Sequence, residues 1–137
     1  RHDIPVCAHL GLKPQSVHKI GGFKVQGREP DKAREMQASA KRLQDAGADI
    51  VLLECVPNEV GKAITEVLDV PVIGIGAGPD VDGQILVLYD ILDITQGRTP
   101  RFVKNFQTGC DSPLLAIKSY VQAVKERAYP EAEHCFS

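Results

Sequence analysis

The sequence ADIVLLECV, residues 48–56, decides the fold class. Four consecutive apolar residues, 50–53, precede the carboxylate of Glu54, so a strand here would be apolar on both of its faces. Strands of that kind are typical of parallel sheets that are covered on both sides, and parallel strands need a long crossover between them. The stretch therefore predicts a buried parallel strand in an α/β protein.

Further strand-like segments lie on both sides of this one. Residues 4–12 are apolar and of strand length, and residues 71–78 form a similar run that ends in glycines. Residues 83–92 suit a strand because of their β-branched content, or a helix capped by Asp82. With helices between the strands, the pattern predicts parallel βα units. These units would form half of an eight-stranded barrel or most of a small doubly wound sheet.

Three segments have the 3.6-residue periodicity of amphipathic helices. Gly47 is predicted to follow the first of them, since glycine is favoured just after a helix end. Residues 128–137 are predicted to be extended. The predicted N-cap residues, in chain order, are Asp31, Asn58 and Ser112.

Length, charge and cysteine content restrict the class of protein. A chain of 137 residues fits one ordinary domain, and the net charge of −2 with no basic block argues against nucleic acid as the main partner. The apolar runs are too short to span a bilayer. Without CxxC spacing, the cysteines indicate a reducing cytoplasm rather than a disulfide framework. They are Cys7, Cys55, Cys110 and Cys135.

Two polar residues follow apolar runs in successive predicted strands, at equivalent positions. Glu54 should be poorly solvated, which raises the pKa of a carboxyl group and its strength as a base. A strand-end glutamate paired with a Lys or Arg is the alternative. His9 is either a core histidine bonded to the backbone or a second functional group. Because functional groups of parallel α/β folds collect at the carboxyl ends of strands, the two side chains are expected to converge.

Two glycine-containing loops are ambiguous. In GFKVQGR, residues 22–28, Lys24 and Arg28 suit an anion, a subunit contact or ordinary solvated surface. The glycines of residues 74–78 suit either an anion held by backbone N–H groups or close packing. Nearby Asp80 and Asp82 are interpreted as cap and turn residues rather than metal ligands. The remaining histidines, interpreted as surface residues, are His2, His18 and His134.

Longer motifs resemble the ketopantoate hydroxymethyltransferase family. They are PVCAHLGLKPQSVHKIGGFKVQGR (5–28), VLLECVP (51–57), PVIGIGAGPDVDGQILVLYD (71–90), RFVKNF (101–106) and YPEAEHCF (129–136). The resemblance implies a parallel (β/α)₈ barrel of the TIM type, with this chain similar to strands five to eight. Residues 1–137 would then be the C-terminal half of one barrel domain whose N-terminal half is absent, as a start at Arg1 close to a strand also suggests. Barrel closure favours a strand over residues 85–89.

The same resemblance implies an activity. A hydroxymethyl group would pass from 5,10-methylenetetrahydrofolate to 3-methyl-2-oxobutanoate, giving 2-dehydropantoate on the way to pantothenate and coenzyme A. It places the role of proton acceptor on Glu54 and a hydrogen bond to the bound oxo acid on His9. Mg²⁺ is implied as a Lewis acid, but its acidic ligands belong to the N-terminal strands, so no metal residue is assigned here.

Family members form large homo-oligomers, often decamers, and the same is expected here. Two alternatives remain open. One is a Mg²⁺-dependent lyase for C–C bonds of oxo acids, which would want a cysteine in a loop, whereas Cys7 and Cys55 fall within predicted strands. The other is a catalytically incomplete fragment that serves only in assembly or binding. Ala8 departs from the glycine that is common before the histidine.

Overall fold

One sheet of four parallel strands organises the chain, in the sequential order β1-β2-β3-β4. The structure is a computed structural model that describes residues 3–16, 18, 22 and 24–137. The strands are β1 (Cys7–Gly11), β2 (Ile50–Glu54), β3 (Val72–Ile75) and β4 (Gly83–Gln84). The helices are α1 (Pro30–Asp45), α2 (Asn58–Val67), α3 (Leu88–Ile91) and α4 (Pro113–Lys125), with 3₁₀ turns at Pro14–Ser16 and Ala132–His134.

The sequential strand order favours half of a barrel over a doubly wound sheet. A doubly wound sheet reverses its strand order and carries helices on both faces. Here α1 and α2 bury apolar side chains against the same face of the sheet. That core consists of Ala40, Val51, Leu53, Val56, Val60, Ile64, Val72, Ala77 and Val81. The prediction of a parallel α/β fold is confirmed.

The side chains of β2 alternate between a helix-covered face and an open one. Val51 and Leu53 are fully buried beneath the helices, while Ile50, Leu52 and Glu54 on the opposite face are only partly buried. In a complete barrel this second face would be the interior. Near the carboxyl ends of the strands, this second face is covered by a separate apolar cluster. The cluster consists of Leu12, Cys55, Ile75 and Phe102.

Helix α1 begins one residue before its predicted cap. Pro30 occupies the first turn and Glu29 is the N-cap, so the prediction of Asp31 as N-cap was wrong. Proline fixes φ at a helical value and lacks the N–H that a first-turn residue leaves unpaired, which favours an earlier start. Gly47 has a φ of +102° directly after the C-cap, as predicted.

The other two predicted caps differ in outcome. Ser112 caps α4, and its hydroxyl accepts a hydrogen bond of 3.3 Å from the backbone N–H of Leu115. Asn58 was predicted to cap α2 but lies inside the helix, because Pro57 holds the N-cap position. The helix thus starts one residue earlier than the pattern of polar residues suggests.

The strand expected over residues 85–89 is wrong. Only Gly83 and Gln84 pair with β3, although the N–H of Ile85 still donates to the carbonyl of Gly74 at 2.9 Å. The chain then turns into α3, which buries Ile91 against α4. Asp82 caps no helix; its carboxylate accepts a hydrogen bond of 2.8 Å from the N–H of Val72.

The C-terminal segment is not simply extended. A 3₁₀ turn spans Ala132–His134, and reciprocal hydrogen bonds between Glu131 and His134 stabilise it. His134 is therefore buried, in contact with the ring of Tyr129, and the prediction of a surface histidine was wrong. His18 is exposed as predicted, while His2 lies outside the described residues. Among the residues that are described, no helix has the length and apolarity that crossing a membrane requires.

Packing of α2 on the sheet should account for a large share of the stability. Ile64→Ala is expected to lower the free energy of unfolding by about 2–4 kcal/mol, because it leaves a cavity in the core. Ile64 is 0% exposed, whereas Val67 on the same helix is 43% exposed. Denaturant unfolding of both variants checks this, and Val67→Ala should stay within about 0.5 kcal/mol of the wild type. Equal losses would contradict the assignment of the core.

Candidate active site

The parallel pairing of β1 and β2 brings His9 and Glu54 together. In the register of the two strands Gly11 is level with Glu54 and His9 is level with Leu52, so both polar side chains lie on the open face. Nε2 of His9 is 3.1 Å from Oε2 of Glu54. The predicted convergence is confirmed, although the two residues are offset by two positions rather than equivalent.

Gly11 fixes the backbone at the end of these strands. Its φ is +88°, and a Cβ at this position would lie 2.1 Å from the carbonyl oxygen of Glu54. The same carbonyl accepts a hydrogen bond of 2.8 Å from the N–H of Leu12. The close approach of the two chains therefore requires glycine here, and it holds the backbone of Glu54 in place.

Burial dominates the electrostatics of Glu54. The pKa of this carboxyl is raised above its ordinary value because desolvation outweighs the close contact with His9, which lowers it. The two side chains are 14% and 27% exposed, for Glu54 and His9 in turn. A carboxylate with a raised pKa is a stronger base, and it accepts a proton more readily near neutral pH.

His9 retains hydrogen-bonding capacity. Its buried Nε2 has no well-aligned hydrogen-bond partner among the described residues, even though Oε2 of Glu54 is only 3.1 Å away. The two observations agree if the carboxylate oxygen lies off the direction of a ring N–H bond. The contact is therefore an electrostatic approach rather than an aligned hydrogen bond. Nε2 is therefore a buried polar atom whose hydrogen-bonding capacity is unmet within the described residues.

The side chain of Glu54 lines a cavity of about 700 Å³. The apolar lining includes Leu12, Ile75, Phe102 and Phe136, and the buried carboxyl of Asp90 also lines it. Asp90 accepts a hydrogen bond of 2.6 Å from the hydroxyl of Thr95. The cavity thus combines an apolar wall with a few polar groups, as small-molecule sites do.

Cations from two loops lie at this cavity. They are Lys24, Arg98 and Arg101. Lys24 was singled out with Arg28 from the sequence, but the structure separates that pair, since Nε of Arg28 donates to the carbonyl of Ser137 at 3.2 Å. Sequence reasoning missed Asp90 and both arginines of the 98–101 loop. Two arginines flanking Thr-Pro, just before an apolar segment, were the available signal.

The glycines of residues 74–78 are explained by packing. A Cβ on Gly76 would lie 2.6 Å from Cδ1 of Phe102, and one on Gly78 would lie 2.6 Å from Oδ1 of Asn58. Both glycines also have a positive φ, of +65° and +82°. The structure therefore favours close packing over an anion site at this turn.

Potential metal ligands converge at one place in the described chain, and it includes neither Glu54 nor His9. The cluster consists of Glu131, Glu133 and His134. Nδ1 of His134 accepts a hydrogen bond of 3.2 Å from the N–H of Glu131, whose carboxylate pairs with Lys104 at 2.5 Å. These contacts account for the cluster as a turn-stabilising unit.

The cysteines are all free thiols, as the sequence predicts. Cys55 lies just after β2 rather than within it, and its φ is +51°. Burial, reinforced by the neighbouring carboxylate of Glu54, raises the pKa of the Cys55 thiol to about 12. Cys7 lies within β1 as predicted, and its side chain is exposed. The lyase alternative would want a nucleophilic or an acid cysteine, and of these two the nucleophilic thiolate is not favoured at Cys55.

The raised pKa of Glu54 makes stability depend on pH. Its ionisation costs the folded state free energy, a cost that is absent below the ordinary pKa of glutamate and complete above the raised folded-state pKa. Glu54→Gln removes this cost, so Tm of the variant minus Tm of the wild type should increase between about pH 4 and pH 8. Scanning calorimetry measures it, with Glu66→Gln on the exposed face of α2 as the control. A difference that shrinks as the pH rises would contradict the raised pKa.

Comparison with known proteins places the chain in one family. The family model described as ketopantoate hydroxymethyltransferase matches residues 1–132. Curated relatives named 3-methyl-2-oxobutanoate hydroxymethyltransferase include one from Chromohalobacter salexigens, 58% identical over 99% of this chain and 52% of its own length. Another, from Alkalilimnicola ehrlichii, is 61% identical over 99% of this chain and 49% of its own length. The chain thus spans about half the length of the curated relatives it matches, and it belongs to the ketopantoate hydroxymethyltransferase family.

Proposed function

We propose that the protein containing this chain transfers a hydroxymethyl group from 5,10-methylenetetrahydrofolate to 3-methyl-2-oxobutanoate. The product is 2-dehydropantoate, on the route to pantothenate and coenzyme A. The observation that carries the proposal is the buried Glu54, with a raised pKa, 3.1 Å from His9 and open to a cavity of about 700 Å³. The name shared by the relatives agrees with this chemistry.

Glu54 is assigned the role of proton acceptor. The hydrogen on C3 of the oxo acid is bound to carbon, so its removal needs a base held close to it in a water-poor site. The resulting enolate carbon forms a C–C bond to the one-carbon unit at the formaldehyde level. The C–N bonds to folate break, and water supplies the hydroxyl oxygen, so that tetrahydrofolate leaves with both nitrogens intact.

His9 is assigned the role of substrate binding. A neutral imidazole N–H can donate to the oxygen on which negative charge develops as the enolate forms. The lack of an aligned partner for Nε2 among the described residues supports this role. Because β1 and β2 fix both backbones, proton acceptor and donor are held in one geometry before substrate arrives.

Mg²⁺ would supply Lewis-acid stabilisation of the enolate. Within the described ranges, the cluster of converging ligand groups is Glu131, Glu133 and His134, and it does not include Glu54. The residues present therefore do not fit a magnesium site beside the proposed base. Ligands on strands outside this chain remain part of the proposal.

Domain arrangement, assembly and compartment also belong to the proposal. Residues 1–137 would be the C-terminal half of one (β/α)₈ barrel domain, which agrees with the half-length match to relatives. Homo-oligomers such as decamers are supported by apolar side chains exposed on α4, which are Leu114, Leu115 and Val121. Four free cysteines are compatible with a reducing cytoplasm.

The direct test is solvent-deuterium exchange at C3 of 3-methyl-2-oxobutanoate. With Mg²⁺ and without folate, the full-length protein should catalyse exchange, and Glu54→Gln should slow it about 10²–10⁴-fold. The rate should rise with pH as Glu54 loses its proton, through a pKa above the ordinary glutamate value. NMR follows the loss of the C3 proton signal.

Glu66→Gln is the matched control, since Glu66 is an exposed glutamate on α2. It should exchange at the wild-type rate. Exchange that survives unchanged in Glu54→Gln would assign the proton acceptor to another group. A folded full-length protein without any exchange would overturn the proposed reaction.

A further inference from the structure

We propose that Lys24, Arg98 and Arg101 form a carboxylate-binding site at the mouth of the cavity that contains Glu54. Its ligand carries two or more carboxylate groups, which the three cations hold while another part of the ligand reaches into the cavity. The location of the site stands on the geometry alone, and only the identity of its ligand rests on the proposed function.

The loop that carries Lys24 is tied to the end of β2. The backbone N–H of Gln26 donates to the carbonyl of Cys55 at 2.9 Å, one residue beyond Glu54. The side-chain amide of Gln26 donates to the carbonyl of Lys24 at 2.8 Å. These two contacts hold the backbone of Lys24 at the cavity, while its ammonium group remains exposed to a ligand.

The loop that carries the arginines is tied to the end of β3. The ring of Phe102 packs against Gly76, where a Cβ would clash at 2.6 Å, and the Phe102 carbonyl accepts a hydrogen bond of 2.5 Å from the hydroxyl of Tyr129. Nε of Arg101 donates to the carbonyl of Glu133 at 2.9 Å. That contact orients the guanidinium group and leaves its two terminal nitrogens for a ligand.

Within the described part of the chain, none of these three cations forms an ion pair with a carboxylate. Lys32, Arg34, Lys41 and Lys104 have acidic partners, whereas Lys62 and Lys118, which do not line the cavity, have none among the described residues either. The cavity contains two carboxyl groups of its own, but Glu54 contacts His9 and Asp90 accepts from Thr95. Positive charge at the mouth is therefore left for an anionic ligand.

The arrangement fits more than one carboxylate. An arginine guanidinium binds a carboxylate through two parallel hydrogen bonds, and a lysine adds a point charge. A single carboxylate group would not contact all three cations, because they lie on two separate loops. The proposed reaction has two substrates that carry carboxylates. A reduced folate carries several on its glutamyl part, and the oxo acid carries a single one. The number and spread of the cations favour the glutamyl carboxylates.

Binding to the full-length protein tests the site by isothermal titration calorimetry. The probes are 5-formyltetrahydrofolate with one and with three glutamyl residues, 3-methyl-2-oxobutanoate, and propane-1,2,3-tricarboxylate. The variants are Arg98→Gln with Arg101→Gln, and separately Lys24→Gln on the other loop. Because all three side chains are exposed, the substitutions should leave the fold intact. Lys62→Gln with Lys118→Gln removes two exposed cations elsewhere and is the matched control.

Triglutamyl folate should bind the wild type more tightly than monoglutamyl folate. Its Kd should rise about tenfold or more in the arginine variant, and less in Lys24→Gln, as expected for the loss of charge-assisted hydrogen bonds. The dependence of Kd on salt should weaken in both variants and stay unchanged in the control.

Each other outcome is decisive. Weakened binding of the oxo acid alone would show that the cations bind a single carboxylate and would overturn the proposal of a ligand with two or more carboxylate groups. Cation-dependent binding of the tricarboxylate by a protein that binds neither folate would keep the site and remove the proposed co-substrate. The carboxylate site is overturned if every probe has the same Kd for the variants as for the wild type. It is also overturned if no probe binds to the wild type or to any variant.

Discussion

Parallel pairing of β1 with β2 is the constraint on which the rest of the site depends. Strand side chains alternate between faces, so a shift of one residue in this register would turn His9 towards the helices and away from Glu54. The register is specified by burial, since Val51 and Leu53 must remain beneath α1 and α2. Gly11 adds a local condition, because the chains approach too closely there for any side chain. Apolar packing on one face thereby sets the polar geometry of the other.

Burial of Glu54 lowers stability when the carboxyl is ionised, and it raises the pKa that the proposed role as a base requires. Within the described part of the chain, the contact with His9 is what lowers the pKa of Glu54, and desolvation remains the larger influence on it. A glutamate on the surface would destabilise the folded state less, but it would be a weaker base because its pKa would be lower. The apolar cluster around Cys55 and Phe102 keeps the carboxylate in this state, so residues that touch no substrate would still influence its chemistry.

The sequence predicts the parts of the structure that depend on local pattern. Apolar runs predicted β1, β2 and β3, and the polar residue after each of the first two runs identified His9 within β1 and Glu54 at the end of β2. Where the local pattern does not determine the conformation of a segment, tertiary contacts do. Residues 85–89 have strand composition, yet the chain turns into α3 because Ile91 finds a buried position against α4.

Long-range contacts also explain the misplaced polar residues. His134 is buried because Glu131 and Tyr129 surround it, which its polar neighbours in sequence do not reveal. Arg98 and Arg101 lie far from Glu54 along the chain and reach the same cavity only through the packing of Phe102 on Gly76. Where a proline preceded the polar side chain, the predicted N-cap lay two residues too late in α1 and one residue too late in α2.

The proposed base and the proposed cation site make opposite electrostatic demands on one cavity. Cations close to Glu54 in a dry environment would stabilise its ionised form and lower its pKa, which would weaken it as a base. Exposure of Lys24 and both arginines limits this effect, because charges in water interact far more weakly than charges in a protein interior. An acidic ligand that binds the cations would neutralise them and exclude water from the mouth. Binding at the exposed end would then strengthen the base at the buried end, which links occupancy of the mouth to the chemistry at Glu54.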